Sequence, residues 1–460
     1  MGSRRRLGWR HCCASWSPKT PGAIVAGAGL AGLTAAMDLV DAGWQVTVLE
    51  RRPFAGGRTF SFTDAQGDEL DNGQHVFLGC CTAYLELLER LGQRDKAFLQ
   101  DGLEVRIVDA ELGPAALFES GLPAPLHLLR SFVSYPYVSV LEKARAARVL
   151  LEMRVRDLPE GQTFAEWLRQ RRQSENAIRR LWDLIVIPTC NAPSGRVSAR
   201  QAGFVFREGL LRTRWGGRIG YARVGLSQIV PDAAVSYLQA RGAALRFGAS
   251  PAALEYGDSK VNGLVLASGE RLAADAYVLA LPPDVTADLL PVHWPRPALE
   301  TAPIVGVNLR YDRPIFDGEV LAVIVDGDAH WVFDRTRIVG EAATSHHIAV
   351  SISAADALID VPRQEIAALV QAKLGRALPA AREATLLRST VEKVRAATFV
   401  PSPGASASRL PARTALPNLV FAGAWTDTGW PDTMESAVRS GHAAAQASLE
   451  SCLPPRAQPR

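Results

Sequence analysis

An α/β fold built on a parallel sheet, with a mixed α+β domain inserted into it, is what this chain predicts. Three observations carry that reading. A short apolar run, Ala23-Ile24-Val25-Ala26, leads directly into a glycine-rich turn. A helix-length segment and a second apolar run follow the turn. Far down the chain, β-rich stretches at 244–282 and a strand from Leu419 supply further pieces of the same discontinuous domain. At about 100–200 residues per domain, 460 residues hold about two to three domains.

Composition limits the classes. Apolar residues make up 48% and charged residues 21%, the balance of an ordinary globular protein with ample core. The net charge is +4, and arginine dominates the basic residues, since only six lysines occur. No basic run is interleaved with aromatics, which argues against a nucleic-acid partner. The six cysteines include the adjacent pairs Cys12-Cys13 and Cys80-Cys81, with Cys190 and Cys452 standing alone. Without a CxxC spacing neither a metal site nor a disulfide framework is expected, and a reducing cytoplasm fits. Residues 1–21 are basic and lack an apolar core of about 7–15 residues, so they read as a disordered extension and not as a signal peptide. No run reaches the roughly 18 apolar residues of a membrane-spanning helix.

Taken in order, residues 23–26 form the first strand, about 31–42 a helix ending at Gly43, and 45–49 a second strand. Residues 82–99 have helical periodicity through Leu85, Leu87, Leu88 and Leu91. The helix-rich stretch 110–230, with its proline clusters, reads as part of a separate substrate-facing domain. Residues 275–283 resemble a strand returning beneath the first sheet. The runs IVGVNLRY, LAVIVD and HIAVSIS between 303 and 353 predict a second sheet, and 362–377 an amphipathic helix. Leu419 onward reads as strand, loop and long helix. The expected division is 22–80, 215–290 and 400–452 in one discontinuous domain, and 81–214 and 291–399 in the other.

The chemistry begins at Gly27-Ala28-Gly29-Leu30-Ala31-Gly32, a GxGxxG between a strand and a helix. Gly27 permits the tight turn and Gly29 lets backbone amides approach a pyrophosphate. Gly32 allows close packing of helix on strand, and the helix N-terminus favours negative charge. This is a Rossmann-like dinucleotide signature, with Leu30 and Ala31 at the helix start as further contacts. Glu50 ends the second strand, where a carboxylate accepts from ribose hydroxyls and disfavours a 2′-phosphate; Arg51 follows it. Next comes Gly56-Gly57-Arg58-Thr59-Phe60-Ser61. Its two glycines let the backbone run along a cofactor, and Arg58 can present its fork of donors to phosphate.

That last element resembles the GGRxxS of the amine oxidase and carotenoid desaturase flavoprotein superfamily, and the resemblance implies an amine oxidase-like fold with FAD as cofactor. A third element, Leu419-Val420-Phe421-Ala422-Gly423 with a helix beginning near Thr433 and Met434, would seat the isoalloxazine. The superfamily has an acidic residue after this Ala-Gly to hold the ribityl chain. Here that position is Ala424, with Thr426 or Asp427 as replacements.

Asp71-Asn72-Gly73-Gln74-His75, Arg223 to Ser227 and the TGWPD of residues 428–432 are similar to the squalene-associated desaturases, the hydroxysqualene dehydroxylase subfamily of bacterial hopanoid biosynthesis. The similarity implies that reduced FAD delivers hydride to hydroxysqualene, a C30 isoprenoid alcohol, as water leaves. Hydroxide is a poor leaving group, so an acid must protonate it. His75 is the first candidate, oriented by Asp71 and Gln74; the bland reading is a histidine bonded to a backbone carbonyl. Asp427 and Asp432 are alternatives, Asp432 equally serving as N-cap of the last helix. Trp425 and Trp430 wall the pocket or simply pack. An apolar isoprenoid needs a long dry pocket. No second nucleotide site is visible, and the electron donor is an unidentified partner. The apolar segment Ala115–Val140 is either a core helix or a contact with a membrane surface beside Arg130 and Arg145, which would place the protein peripherally on the inner face of the cytoplasmic membrane. Competing readings are a phytoene-type carotenoid desaturase, an amine oxidase, and a non-catalytic FAD-binding scaffold.

Overall fold

Strand β1 (Gly22–Ala26) is buried on both faces, and its alternating side chains serve two cores. Ala23 and Val25 meet helices, while Ile24 and Ala26 meet a small antiparallel sheet. This two-sided burial is what a central parallel strand requires. The computed structural model describes residues 20–318, 320–326, 328–340 and 345–451. The cysteines Cys12, Cys13 and Cys452, and nearly all of the expected N-terminal extension, lie outside these residues.

Helix α1 (Leu30–Asp41) follows β1, and β2 (Gln45–Glu50) lies parallel to it, Ala23 opposite Val46 and Val25 opposite Val48. Strands β3 (Ala244–Phe247), β4 (Ala276–Leu279) and β5 (Leu419–Phe421) complete a five-stranded parallel sheet in the order β3-β2-β1-β4-β5. Helix α2 (Met434–Ser451) packs against α1 on one face, and strands Pro251–Tyr256, Val261–Leu266 and Arg271–Leu272 cover the other.

The second sheet has seven strands, in the order 386–399, 301–311, 346–352, 328–334, 321–326, 104–109 and 113–118. All its pairings are antiparallel except that of 321–326 with 104–109. Helix Arg363–Ala377 covers one face through Ile366, Val370 and Leu374. The helices between residues 140 and 211 cover the other, around Phe164, which stacks on Trp167 at 5.9 Å and meets Trp182 edge-on at 5.8 Å.

Three elements differ from the sequence expectation. The helix expected over 82–99 stops at Arg90, where Gly92 with φ +66° ends it; residues 97–99 instead pair with 220–222. That helix packs on α2 in the core of the parallel sheet, whereas the expected division places residues 81–214 in the other domain. Strand Leu386–Phe399 carries Arg388, Glu392, Lys393 and Arg395, and this polar face hides its apolar alternation. The segment 115–140 is no single helix but a strand, a bend and the short helices 126–128 and 129–134. Among the described residues, no helix is long and apolar enough to cross a membrane.

His347 in strand 346–352 lies with Nε2 at 2.8 Å from Asn308 Oδ1. Burial, with the Arg310 and Arg335 guanidiniums nearby, pushes its imidazole down to about 3. A histidine kept neutral in the fold but free to charge when unfolded stabilises the fold above the unfolded pKa of about 6.5, and that stability is lost as pH falls below it. His347→Gln should therefore flatten the acid side of the stability profile, by about 3 kcal/mol at a pH two units below that value. Urea melts of both proteins across that range check this.

Candidate active site

The turn after β1 leaves no room for side chains. Gly27 has φ +105°, and a Cβ on Gly32 would stand 1.9 Å from the Gly27 carbonyl oxygen. With Gly32 bare, α1 starts directly above the end of β1. No side chain caps its N-terminus at Gly29, so the first-turn amides of Leu30 and Ala31 remain available to a bound anion. A Cβ on Gly57 would come within 3.0 Å of Gly29 Cα, and Gly29 and Gly56 pair as an isolated bridge. The two glycine elements thus form one continuous backbone cradle, and its uncapped amides fit a pyrophosphate.

Glu50 is buried at the end of β2 and holds this cradle from beneath. Its Oε2 accepts from Ala28 N at 2.9 Å and its Oε1 from Arg52 N at 3.0 Å. Arg51 is exposed; its neighbour Arg52 does the local work, donating to the Gly57 carbonyl at 2.9 Å and lying 5.0 Å over the Phe60 ring. The sequence pattern gave no reason to single out Arg52.

Arg58 donates to both carboxylate oxygens of Asp432, at 2.9 and 3.0 Å. Asp432 is almost fully enclosed and also accepts from Phe399 N. It does not cap α2: Thr433 Oγ1 does, accepting from Ser436 N at 3.2 Å. The expectation that Asp432 was the cap is corrected by one residue, because Arg58 and Phe399 already occupy its oxygens.

The segment Asp71–His75 runs beside this pair, with Asn72 Nδ2 donating to the Arg58 carbonyl at 2.8 Å. His75 Nδ1 stands 3.0 Å from the Gly73 carbonyl oxygen, the bland reading of this histidine. Asp71 does not orient it. Its carboxylate accepts from Ser61 Oγ and Leu226 N and pairs with Arg335 at 3.0 Å. Gln74 Nε2 donates to the His75 backbone carbonyl and not to the ring, while its buried Oε1 has no partner. Burial drives the imidazole below its ordinary value, against the Gly73 hydrogen bond and the Asp71 charge, which raise it.

At the C-terminal element, Gly423 has φ +144° and its N–H donates to Ser440 Oγ. Asp427, a candidate acid and ribityl contact, is exposed, and Thr426 Oγ1 is spent on the Gly423 carbonyl. Two residues with no sequence signal hold this loop. Arg409, buried, donates to the carbonyls of Ala424, Trp425 and Thr426 and to Thr428 Oγ1. Glu435, also buried, accepts from Ala83 N and Tyr84 N and ties α2 to helix Thr82–Arg90. Met434, the first residue of α2, is half-buried. Trp425 packs with Nε1 on the Leu281 carbonyl, and Trp430 meets Phe204 edge-on at 5.1 Å.

Gly32→Ala should purify without flavin and with stability lower by about 2–4 kcal/mol, since its methyl group collides with backbone. Glu50→Gln keeps an acceptor for Ala28 N but removes charge. It should lose at least about tenfold in FAD affinity. The flavin absorbance of the purified variants and FAD titration of the apoproteins read both.

The model of the family described as flavin containing amine oxidoreductase matches residues 30–449. A hydroxysqualene dehydroxylase from Rhodopseudomonas palustris is 32% identical over 436 residues, covering 92% of this chain and 97% of that protein. A probable zeta-carotene desaturase from Synechococcus elongatus is 27% identical over 485 residues, covering 93% and 98%. Among solved structures, cyclohexylamine oxidase from Brevibacterium oxydans superposes with a TM-score of 0.68 at 22% identity, over 94% of this chain and 99% of that one. The glycine cradle and the Glu50 carboxylate are therefore parts of an FAD-dependent oxidoreductase, and the chain belongs to the flavin containing amine oxidoreductase family.

Proposed function

We propose that the chain catalyses reductive dehydroxylation of hydroxysqualene to squalene, a step of hopanoid biosynthesis. One observation carries the reading. The two segments that resemble the dehydroxylases, Asp71–His75 and the TGWPD loop, meet at Arg58 of the cofactor cradle, through Asn72 and Asp432. The segments that set this subfamily apart are thus built onto the same support as the flavin elements. The dehydroxylase relatives, at 32% and 30% identity, add to this.

FAD, when bound and reduced, supplies the hydride. The chain must bring a proton to the departing hydroxyl and keep water away. His75 is the residue for the first task, and its geometry sets a condition. When the ring is neutral, Nδ1–H donates to the Gly73 carbonyl, and Nε2 carries a lone pair. In that state Nε2 accepts from the substrate hydroxyl and orients it but cannot protonate it. Protonation of the ring turns Nε2 into a donor. Burial lowers the pKa, so this acid form fills only as pH drops below the ordinary histidine value of about 6.5.

Turnover should therefore rise on the acid side of about pH 6.5. His75→Ala should remove that rise and lower kcat by about 10²–10⁴-fold while FAD stays bound. A pH profile unchanged by the substitution would assign the proton to another group. The substrate is tested by giving the dithionite-reduced holoenzyme hydroxysqualene, and the oxidised holoenzyme phytoene. Squalene from the first and no product from the second is the expected result. Desaturated phytoene without squalene overturns the reading in favour of a carotenoid desaturase.

A further inference from the structure

Helix Val140–Val155 is apolar on two opposite faces. Its inner face packs Ala146, Val149 and Met153 into the core beneath the second sheet. Its outer face sets Val140, Ala144, Ala147, Leu151 and Val155 at helical spacing, and all five are exposed. Val140 is 83%, Leu151 60% and Val155 78% exposed, and Leu141 adds to the stripe at 59%. The core already has its share of this helix, and the outer stripe packs on nothing among the described residues.

The stripe continues onto the neighbouring short helices, where Leu126, Leu129 and Val133 are exposed on one side. Lys143 Nζ donates to the Val133 carbonyl at 2.5 Å, which joins the two surfaces at the corner. Beyond Leu126 lies the bend at Gly121 and Leu122, within reach of Arg214, whose Nη1 is 3.5 Å from the Gly121 carbonyl. Exposed Trp215 follows Arg214, and its carbonyl oxygen would lie 2.0 Å from a Cβ on Gly79, at the end of the strand that His75 precedes. One surface thus runs from Val155 to Trp215, which lies against Gly79 at the far end of the strand that His75 precedes.

Its charge is one-sided. Every exposed residue between 121 and 155 is apolar, small, proline or arginine, the arginines being Arg130, Arg148 and Arg154, and none is acidic. The two carboxylates of this stretch are turned inward and used: Glu142 caps its own helix and binds Ser174, and Glu152 pairs with Arg171. A stripe of aliphatic side chains rimmed only by arginine is the pattern of a helix lying at a lipid–water boundary, with anionic headgroups supplying the countercharge. Since no described helix is long and apolar enough to cross a membrane, the contact is with one leaflet.

We propose that the face formed by residues 122–155 docks this protein on an anionic lipid bilayer, with helix Val140–Val155 lying along the surface. An apolar substrate dissolved in the same leaflet would then reach the site past Trp215 without crossing water. That last point rests on the isoprenoid reading, whereas docking itself does not.

Flotation of the purified holoprotein with vesicles tests it without substrate. Vesicles of phosphatidylcholine containing phosphatidylglycerol should carry the protein upward, and vesicles of phosphatidylcholine alone should carry much less. The double variants Leu151→Ser/Val155→Ser and Arg148→Ala/Arg154→Ala should each lose about tenfold or more in partitioning. Their flavin content and thermal midpoint should match the parent, because all four side chains are exposed. A parent protein that floats with neither vesicle overturns the proposal, as do variants that float as well as the parent. A parent that forms a dimer abolished by Leu151→Ser/Val155→Ser, with no vesicle binding, overturns it in favour of a second copy on this face. Failure here leaves the dehydroxylase reading intact, since squalene formation from detergent-dispersed substrate is measured separately.

Discussion

Everything near the cofactor cradle depends on one buried carboxylate, that of Glu50. One oxygen fixes the amide of Ala28 within the first glycine turn, and the other fixes Arg52 at the start of the second glycine loop. Both turns are glycine-rich and would otherwise be the loosest backbone in the domain. Held together, they make a rigid seat whose edge is Gly57 against Gly29. From that edge Arg58 reaches Asp432 on the C-terminal loop and its carbonyl reaches Asn72. A charge-assisted bond that accepts from two backbone amides is stronger than a neutral one, and here it sets the position of three segments distant in sequence.

The second dependence is between the two sheets. Asp64, Asp68 and Asp71, in the hairpin of strands Ser61–Thr63 and Glu69–Asp71, pair with Arg388 and Arg310 of the second sheet and with Arg335 of the helix Arg335–Val339 beside it. Enclosed ion pairs return little net stability, because desolvation cancels most of the attraction. Their geometry is specific all the same. Each fixes how the hairpin leading to His75 lies on the second sheet.

What the sequence disclosed follows from the range of the interactions. The glycine turn, Glu50 and GGR are local in the chain, and each residue type is dictated by its own backbone, so their placement was readable. The cap of α2 was misplaced by one residue because Asp432 and Thr433 are equally good caps in isolation. Only the partner Arg58, far away in sequence, decides between them. The supposed orientation of His75 by Asp71 failed for the same reason, since Arg335 and Leu226 claim that carboxylate. Arg409 stands in a loop without any motif, and its role exists only once Ala424–Thr428 folds over it. Helix Val140–Val155 shows a further limit. With apolar residues on opposite faces its periodicity is blurred, and the chain alone does not tell which face is inward.

Ala424 stands where the resemblance implies an acidic residue, and the loop is held without one. In its place a buried guanidinium sits under the loop. Arg409 binds the Ala424 carbonyl at 3.1 Å and lies 4.9 Å from the Phe399 ring. Burial pulls its pKa down, with Asp427 and Asp432 opposing, yet an arginine stays charged in protein surroundings. The loop is thus held from below by a fixed positive charge rather than presenting a negative one from above. Together with the N-terminus of α2, this gives the C-terminal end of the cradle a positive character. A ligand that gains negative charge on reduction is stabilised by such surroundings. Such polarity raises a flavin's reduction potential, so it favours loading the ring with electrons and, to the same extent, opposes hydride release from the reduced ring.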